Sequence, residues 1–156
     1  MARVTYCRRW NPVLKEAAEV LQPEEAESLH RSRQPYSVVL EADAGGVVVV
    51  EMCFYQAYCH VLFLDERKRV ANRYSFVEAG DGRLFLEEAA VHNHRDGSER
   101  AADGELFSFK QDGSVFHDTG KAGGPVSRSE GKIDISRNYA ALPTFGNYSS
   151  IVSRER

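Results

Sequence analysis

The stretch VVVVEMCFYQAYCHVLFL, residues 47–64, contains two continuous apolar runs, Val47–Val50 and Val61–Leu64. Strands covered on both faces read as unbroken apolar runs, whereas strands with one wet face alternate apolar and polar residues. The residues between the two runs leave room for a tight loop around Gln56 and Ala57. This stretch therefore predicts two neighbouring central strands of a sheet, each buried on both faces.

Further strand-like runs follow on both sides of this centre, separated by short segments rich in turn-forming residues. The predicted strands are Tyr36–Glu41, Val47–Tyr55, Tyr58–Leu64, Arg69–Val77, Arg83–Ala89, Ala90–His94, Leu106–Lys110 and Ser114–His117. Asp112-Gly113, between the last two, is a strong hairpin signal. Because the connections are too short for parallel crossovers, we expect an antiparallel meander over residues 36–118, forming a curved sheet or a partly open barrel.

The first third of the chain has a helical pattern instead. Asn11 followed by Pro12 is typical of a helix N-cap and first position. Apolar residues then recur at helical spacing: Val13, Leu14, Ala17, Ala18 and Leu21. Pro23 begins a second, more charged segment whose first-turn glutamates suit a helix N-terminus. The sequence therefore predicts a helical segment over residues 11–33, packed on the sheet, and the fold class α+β.

The length of 156 residues is that of one ordinary domain, and 42% hydrophobic residues suffice for a core. After Thr119 the strand pattern stops, and glycine, serine and lysine dominate the segments GKAGGP and SRSEGK. We expect a single domain over residues 1–156, made of the helical segment, the meander and a loop-rich tail over 119–156.

The composition excludes several classes of protein. The net charge is −3, whereas proteins that bind nucleic acids in general need clustered positive charge. General nucleic-acid binding is therefore not expected. No apolar run approaches the roughly 20 residues of a membrane helix, and the opening MARVTYCRRW has no apolar signal-peptide core. Three cysteines, an odd number, fit a reducing compartment. We therefore expect a cytoplasmic protein without a membrane partner or a cofactor.

His92, His94 and Glu99 form the pattern His-x-His-x4-Glu. Residues i and i+2 of a strand face the same side, so the two imidazoles can share a metal ion. The pattern resembles the first metal motif of cupins, a β-barrel family that binds metal through histidines and a glutamate. The resemblance implies a metalloprotein with these three ligands as one alternative function. The sequence departs from the cupin pattern in two ways. The glycine expected six positions before His92 is Leu86, and the later glycine-rich histidine motif is absent.

Cysteine chemistry is weakly indicated. Cys53 and Cys59 flank the expected loop, and His60 follows the second thiol. A nucleophilic cysteine needs a histidine beside it, but neighbours on a strand point to opposite faces. We therefore expect buried structural thiols.

The charges are unevenly distributed along the chain. Residues 78–105 contain eight acidic and three basic residues, whereas residues 121–156 contain six basic and three acidic ones. Complementary fields steer protein association, so an acidic surface suits a basic protein partner. The predicted partner-binding acids are Glu87, Glu88, Asp96, Glu99 and Asp103.

The tail residues Tyr139, Phe145 and Tyr148 either pack the chain end on the domain or anchor a partner, since tyrosines are enriched in interface hot spots. Phe145 and Tyr148, with Pro143 and Gly146, form a Pro-x-Phe-Gly-x-Tyr pattern in a small acidic protein. This combination resembles bacterial immunity proteins of polymorphic toxin systems. The resemblance implies a non-catalytic protein that binds a cognate toxin and occludes its active site.

A second alternative is a small-ligand-binding β domain. Its pocket would lie between the helix and the sheet, lined by four aromatic residues: Phe54, Tyr58, Phe63 and Tyr74. Aromatic residues in such positions also form ordinary cores, so both interpretations stay open at the level of sequence.

Overall fold

The computed structural model describes residues 3–155, and strands dominate it. The strands are β1 Arg3–Asn11, β2 Glu16–Leu21, β3 Tyr36–Glu41, β4 Val47–Met52, β5 Cys59–Leu64, β6 Val70–Glu78, β7 Leu84–His94, β8 Ala101–Phe109, β9 Ser114–Lys121, β10 Val126–Lys132 and β11 Tyr139–Ala140. The helices are α1 Pro23–Arg31, a 3-10 turn Ser136–Asn138 and α2 Ser149–Val152.

All strands belong to one antiparallel sheet with the order β10-β9-β8-β7-β6-β5-β4-β3-β1-β2, and β11 pairs with the start of β7. The predicted antiparallel meander is confirmed for β3 to β9, and β3 has the predicted bounds. The two predicted strands Arg83–Ala89 and Ala90–His94 are a single strand, β7. Strands β2 and β10 are the free edges of the sheet.

The predicted α+β class and its N-terminal helical segment over 11–33 are wrong, because residues 3–21 form the β1–β2 hairpin. Asn11 does cap a turn: its Oδ1 accepts hydrogen bonds from the Val13 and Leu14 amides at 3.0 Å. The turn ends at Lys15, whose φ of 56° leaves the helical region. Pairing with β1 then overrides helical propensity. The fold is all-β.

The second predicted segment does form a helix, α1. A capping box between Gln22 and Glu25 closes its first turn, and Pro23 lies at its start. Ala26 is fully buried against the sheet. This nine-residue helix therefore covers one face of an all-β fold and adds no second layer of helices.

The central strands are buried on both faces, which confirms the prediction from the two apolar runs. On the helix-side face, Val50 and Val61 belong to the core beneath α1. On the opposite face, here called the Trp10-side face, Val49 and Leu62 pack with Trp10. Each central strand thus contributes to two cores.

The sheet curls toward its Trp10-side face. Five strand spacings separate β1 from β7, which is roughly 24 Å in a flat sheet. Yet Lys15, in the turn after β1, places its Nζ 3.0 Å from Oε1 of Glu99, in the turn after β7. Trp10 also packs near Val70 of β6. This curl encloses the second core.

The sheet continues as a single layer of three strands, β8 to β10, here called the wing, of which Phe109 at the end of β8 packs against the helix-side core. Residues of β8 and β9 are half-buried almost throughout, and all seven residues of β10 are exposed. The predicted loop after Thr119 is therefore wrong over β10. Its serine, glycine and charged residues have low β-propensity, and only the hydrogen-bond ladder to β9 makes them a strand.

Candidate functional site

The predicted metal ligands lie near one another without converging. His92 and His94 share the Trp10-side face of β7 and line a small pocket of about 240 Å³ together with Glu99. His94 contacts the Val70 carbonyl oxygen through Nε2 at 2.9 Å, while Glu99 pairs with Lys15. Within residues 3–155, no group of three or more histidine, cysteine or acidic side chains is arranged to hold a metal ion.

The predicted acidic residues do not share one face. Glu88 lies on the Trp10-side face, 3.6 Å from Arg73, and Glu99 is paired with Lys15. Asp103 lies on the opposite face, where its Oδ1 accepts a hydrogen bond from Asn93. These contacts neutralise or satisfy part of the acidity that the sequence concentrates in this region.

Two of the acidic residues have no ion pair within the described part of the chain. Asp96 is exposed in the β7–β8 turn, and Glu87 is the extra residue of a bulge in β7. Partial burial, and then the neighbouring Glu88 carboxylate, raise the pKa of Glu87. Asp96 is therefore the more accessible charge.

The tail aromatics are engaged within the domain. Tyr148 is only 4% exposed, and its hydroxyl lies 3.1 Å from that of Tyr36. Phe145 stacks on Tyr6 at 4.9 Å, and Tyr139 lies beneath the Arg83 guanidinium at 4.1 Å. Burial raises the pKa of Tyr148 to about 12. The packing interpretation of the tail accounts for these contacts.

The aromatics of the proposed ligand pocket pack on one another. Phe63 and Tyr74 meet edge to face at 5.0 Å, and Phe54 and Tyr58 do so at 5.2 Å. Phe63 and Tyr58 are buried, and the other two rings pack against the same core. These rings thus pack within or against the helix-side core, and Phe54 and Tyr58 also line a small pocket of about 170 Å³.

The three thiols are free, and two of them, Cys7 and Cys59, are buried. Burial, and then the nearby Cys53, raise the pKa of Cys59. A raised thiol pKa suppresses the thiolate that nucleophilic chemistry requires. Cys59 is buried, as the sequence predicts, whereas Cys53 is half-buried.

A hydrogen-bonded pair that the sequence reasoning missed lies on the Trp10-side face. His60 and Ser75 are cross-strand partners, and His60 Nδ1 lies 2.8 Å from the Ser75 hydroxyl. Burial, and then the Arg73 charge, lower the pKa of His60. Ser75 is only 2% exposed, so its hydroxyl is closed to a substrate. This pair satisfies polar groups within the sheet.

The wing has a groove on each face. The Arg73 groove, about 440 Å³, lies on the Trp10-side face, and Leu106 and Asp118 are among its lining residues. The Asp103 groove, about 500 Å³, lies on the opposite face and includes Glu105. Gly104 and Gly120 line both grooves, because only a single layer of strands separates them.

The Asp103 groove is lined by two carboxylates and one lysine. Asp103 and Glu105 alternate along β8 and so project from the same face. Glu105 Oε1 lies 2.9 Å from His117 Nε2, and Lys121 lies across from Asp103 without forming an ion pair in the described chain. Glu105 belongs to the acidic segment, but only its place beside Asp103 marks it as a candidate binding residue.

Comparison of the chain with protein-family models, with curated proteins and with solved structures found no match. Among residues 3–155, no helix has the length and apolar character required to cross a membrane.

Proposed function

We propose that this protein is a non-catalytic binding protein of the immunity type, which binds a basic toxin in the cytoplasm and occludes its active site. The observation that carries the proposal is the wing, whose residues are half-buried or exposed. A single sheet layer with grooves on both faces offers a large surface to a protein partner. The tail pattern around Phe145 adds the resemblance to immunity proteins.

The docking surface of this proposal is the Asp103 groove with the adjoining β7–β8 turn. Asp103 and Glu105 line the groove, and Asp96 is exposed at the turn. A lysine or arginine of the partner fits between the two groove carboxylates, because opposite charges attract strongly where water is partly excluded. Glu88 and Glu99 pair with the permanent charges of Arg73 and Lys15, and Tyr148 is buried, so these three residues are not part of this surface.

The test is the affinity for the protein encoded by the adjacent gene, measured by calorimetry with the full-length chain. The double variant D103K/E105K is expected to bind at least tenfold more weakly, since like charges across an interface are costly. For the wild type, association is expected to slow as salt is raised, because screening weakens steering.

The matched control is E24K/E27K, which makes the same charge change at two exposed residues of α1, a helix that packs on β1 and β3. It is expected to bind like the wild type. Equal weakening by both double variants would show that net charge, and not the groove, matters. Absence of binding together with absence of protection against that protein's toxicity would overturn the proposed function.

A further inference from the structure

Strand β10 ends the sheet with one side unpaired. Its register with β9 runs without a shift from Val126 opposite Gly120 to Lys132 opposite Ser114. Just beyond the strand, the Ile133 amide donates to the Gly113 carbonyl oxygen at 2.9 Å. Antiparallel strands alternate between bonded and non-bonded pairs, so the odd-numbered residues of β10 bond to β9.

The even-numbered residues of β10 therefore point their amides and carbonyls outward. These residues are Val126, Arg128, Glu130 and Lys132. An unpaired, regular edge of this kind is a template for another strand. The orientation of these backbone groups limits the registers in which a partner strand can bond.

The two edges of the sheet differ in how well they are protected. On β2, Glu19 has a φ of 56°, and the pairing with β1 skips that residue. Such an irregularity twists an edge away from new partners. None of the seven residues of β10 has a positive φ, and Pro125 lies just outside the strand. Edge pairing is thus favoured at β10.

The charges on β10 are complementary to those of a second copy in the register that pairs the strand over its full length. When two copies pair antiparallel about Ser129, Arg128 of each copy lies directly opposite Glu130 of the other. A shift by two residues in one direction sets Arg128 against Arg128, and in the other direction Glu130 against Glu130. Opposite charges stabilise a directly opposed pair and like charges destabilise it. A register about Gly131 would also oppose Glu130 to Lys132, but it pairs only three residues of each strand, so the full-length register about Ser129 is favoured.

The side chains are free to make this pairing. Arg128 binds Asp118 through Nε at 2.6 Å and through Nη2 at 2.8 Å, which leaves Nη1 for a further acceptor. Glu130 forms no hydrogen bond or ion pair within the described residues. The second copy's carboxylate would thus complete an acid–guanidinium–acid row on the Trp10-side face.

We propose that β10 is a self-association edge through which two copies of this chain form a symmetric dimer with one continuous sheet. This inference is independent of the proposed toxin partner, because it rests on the backbone and charge pattern of β10 alone. A seven-residue strand pair is a small interface, so the expected Kd is on the order of 10–100 μM.

The test is analytical ultracentrifugation of the full-length chain over a concentration series that reaches well above that Kd. The wild type is expected to pass from monomer to dimer. R128E and E130R are each expected to stay monomeric, since each sets like charges across the two-fold axis. Their equimolar mixture is expected to dimerise, and so is the double variant R128E/E130R, because both restore opposite charges.

The control R67E changes the charge of an exposed arginine in the β5–β6 turn and is expected to dimerise like the wild type. Circular dichroism checks that each variant is folded. A wild type that stays monomeric throughout, or single variants that dimerise as well as the wild type, would overturn the proposal. The proposal would also be overturned if the wild type stays monomeric and the β10 variants lose only the ability to bind a different protein. In that case the edge pairs with another chain.

Discussion

At the scale of single residues, hydrogen bonds that run from Tyr148 through Tyr36 to His30 connect the C-terminal tail to the sheet and to α1. Tyr36 lies between the other two, with its hydroxyl 2.8 Å from His30 Nδ1 and 3.1 Å from the Tyr148 hydroxyl. Burial, and then the interaction with Tyr148, raise the pKa of Tyr36. A buried hydroxyl that is hydrogen-bonded contributes to stability, whereas one left without a partner is costly.

Truncation of Tyr148 is expected to destabilise the fold. Tyr148→Phe removes one buried hydrogen bond and is expected to lower the free energy of unfolding by about 1 kcal/mol. Tyr148→Ala also leaves a cavity and is expected to cost about 3–4 kcal/mol. Urea denaturation measures both. Tyr55→Ala, at a residue 79% exposed, is the control and is expected to change little; equal losses at both positions would contradict the core role.

At the scale of elements, Arg69 joins two turns that are distant in sequence. Its guanidinium binds the Asp65 carboxylate at 2.8 Å and donates through Nη1 to the carbonyl oxygens of Arg95 and Ser98. The β5–β6 turn is thereby fixed to the β7–β8 turn. Although partial burial opposes ionisation of Asp65, the hydrogen bonds from Arg69 and Arg67 lower its pKa.

Arg69→Ala is expected to lower the free energy of unfolding by about 2 kcal/mol, because it removes the guanidinium donor from the Asp65 carboxylate and from two carbonyl oxygens. Arg69→Lys is expected to recover part of this loss, since lysine keeps the charge but not the planar fork. Urea denaturation at neutral pH measures both variants. A control is Arg83→Ala, which breaks an exposed pair with Asp81 and is expected to matter much less. If the two alanine variants lose the same stability, the Arg69 contacts are not a clamp.

At the scale of the whole molecule, a sheet with cores on both faces buries polar side chains along with apolar ones. Burial lowers the pKa of His30, His60 and His92, which lie on three different elements, and Arg73 lowers it further for the last two. The folded protein therefore binds fewer protons at these residues than the unfolded chain does. The histidine contribution to the free energy of unfolding is then fully present above the unfolded histidine pKa of about 6.5. This contribution falls as the pH drops below that value.

The urea midpoint is accordingly expected to fall between pH 7.5 and pH 5.5, with each histidine contributing at most about 1.4 kcal/mol per pH unit. Burial also raises the pKa of Glu51 and Glu87, which acts in the opposite direction because protonation of these groups favours the folded state. The variant His30→Gln isolates the histidine effect and is expected to have a shallower pH dependence. A pH dependence identical to that of the wild type would contradict the contribution of His30.

Several features of the fold could be predicted from local patterns. The runs Val47–Val50 and Val61–Leu64 correctly predicted two-faced burial, and Asp112-Gly113 correctly predicted a hairpin between β8 and β9. The helical spacing from Val13 to Leu21 was misleading, since Val13 is 83% exposed in the structure. A helix and a strand compete closely in such a short segment, and the pairing partner decides between them.

The candidate site was less predictable than the fold. The spacing of His92 and His94 placed both on one face, but it carried no information on Val70, whose carbonyl engages one of them. The acidic segment included Glu105, but nothing in its composition separated the face of Asp103 from the face of Glu88. That separation follows from the register of β7 with β8, which sets Asp103 opposite Asn93, and Asn93 lies five residues from Glu88 and so faces the other side.

By itself, the sequence determined where the chain is buried, where it turns and how charge is distributed, because apolar runs, turn residues and charges act through near neighbours. Only the tertiary structure decided that residues 3–21 are a hairpin, that β10 is a strand and that the sheet continues into the wing as a single layer. Those outcomes depend on hydrogen-bond ladders between strands. A ladder stabilises residues of weak propensity only once a partner strand is in place, and the partner is chosen by the whole sheet.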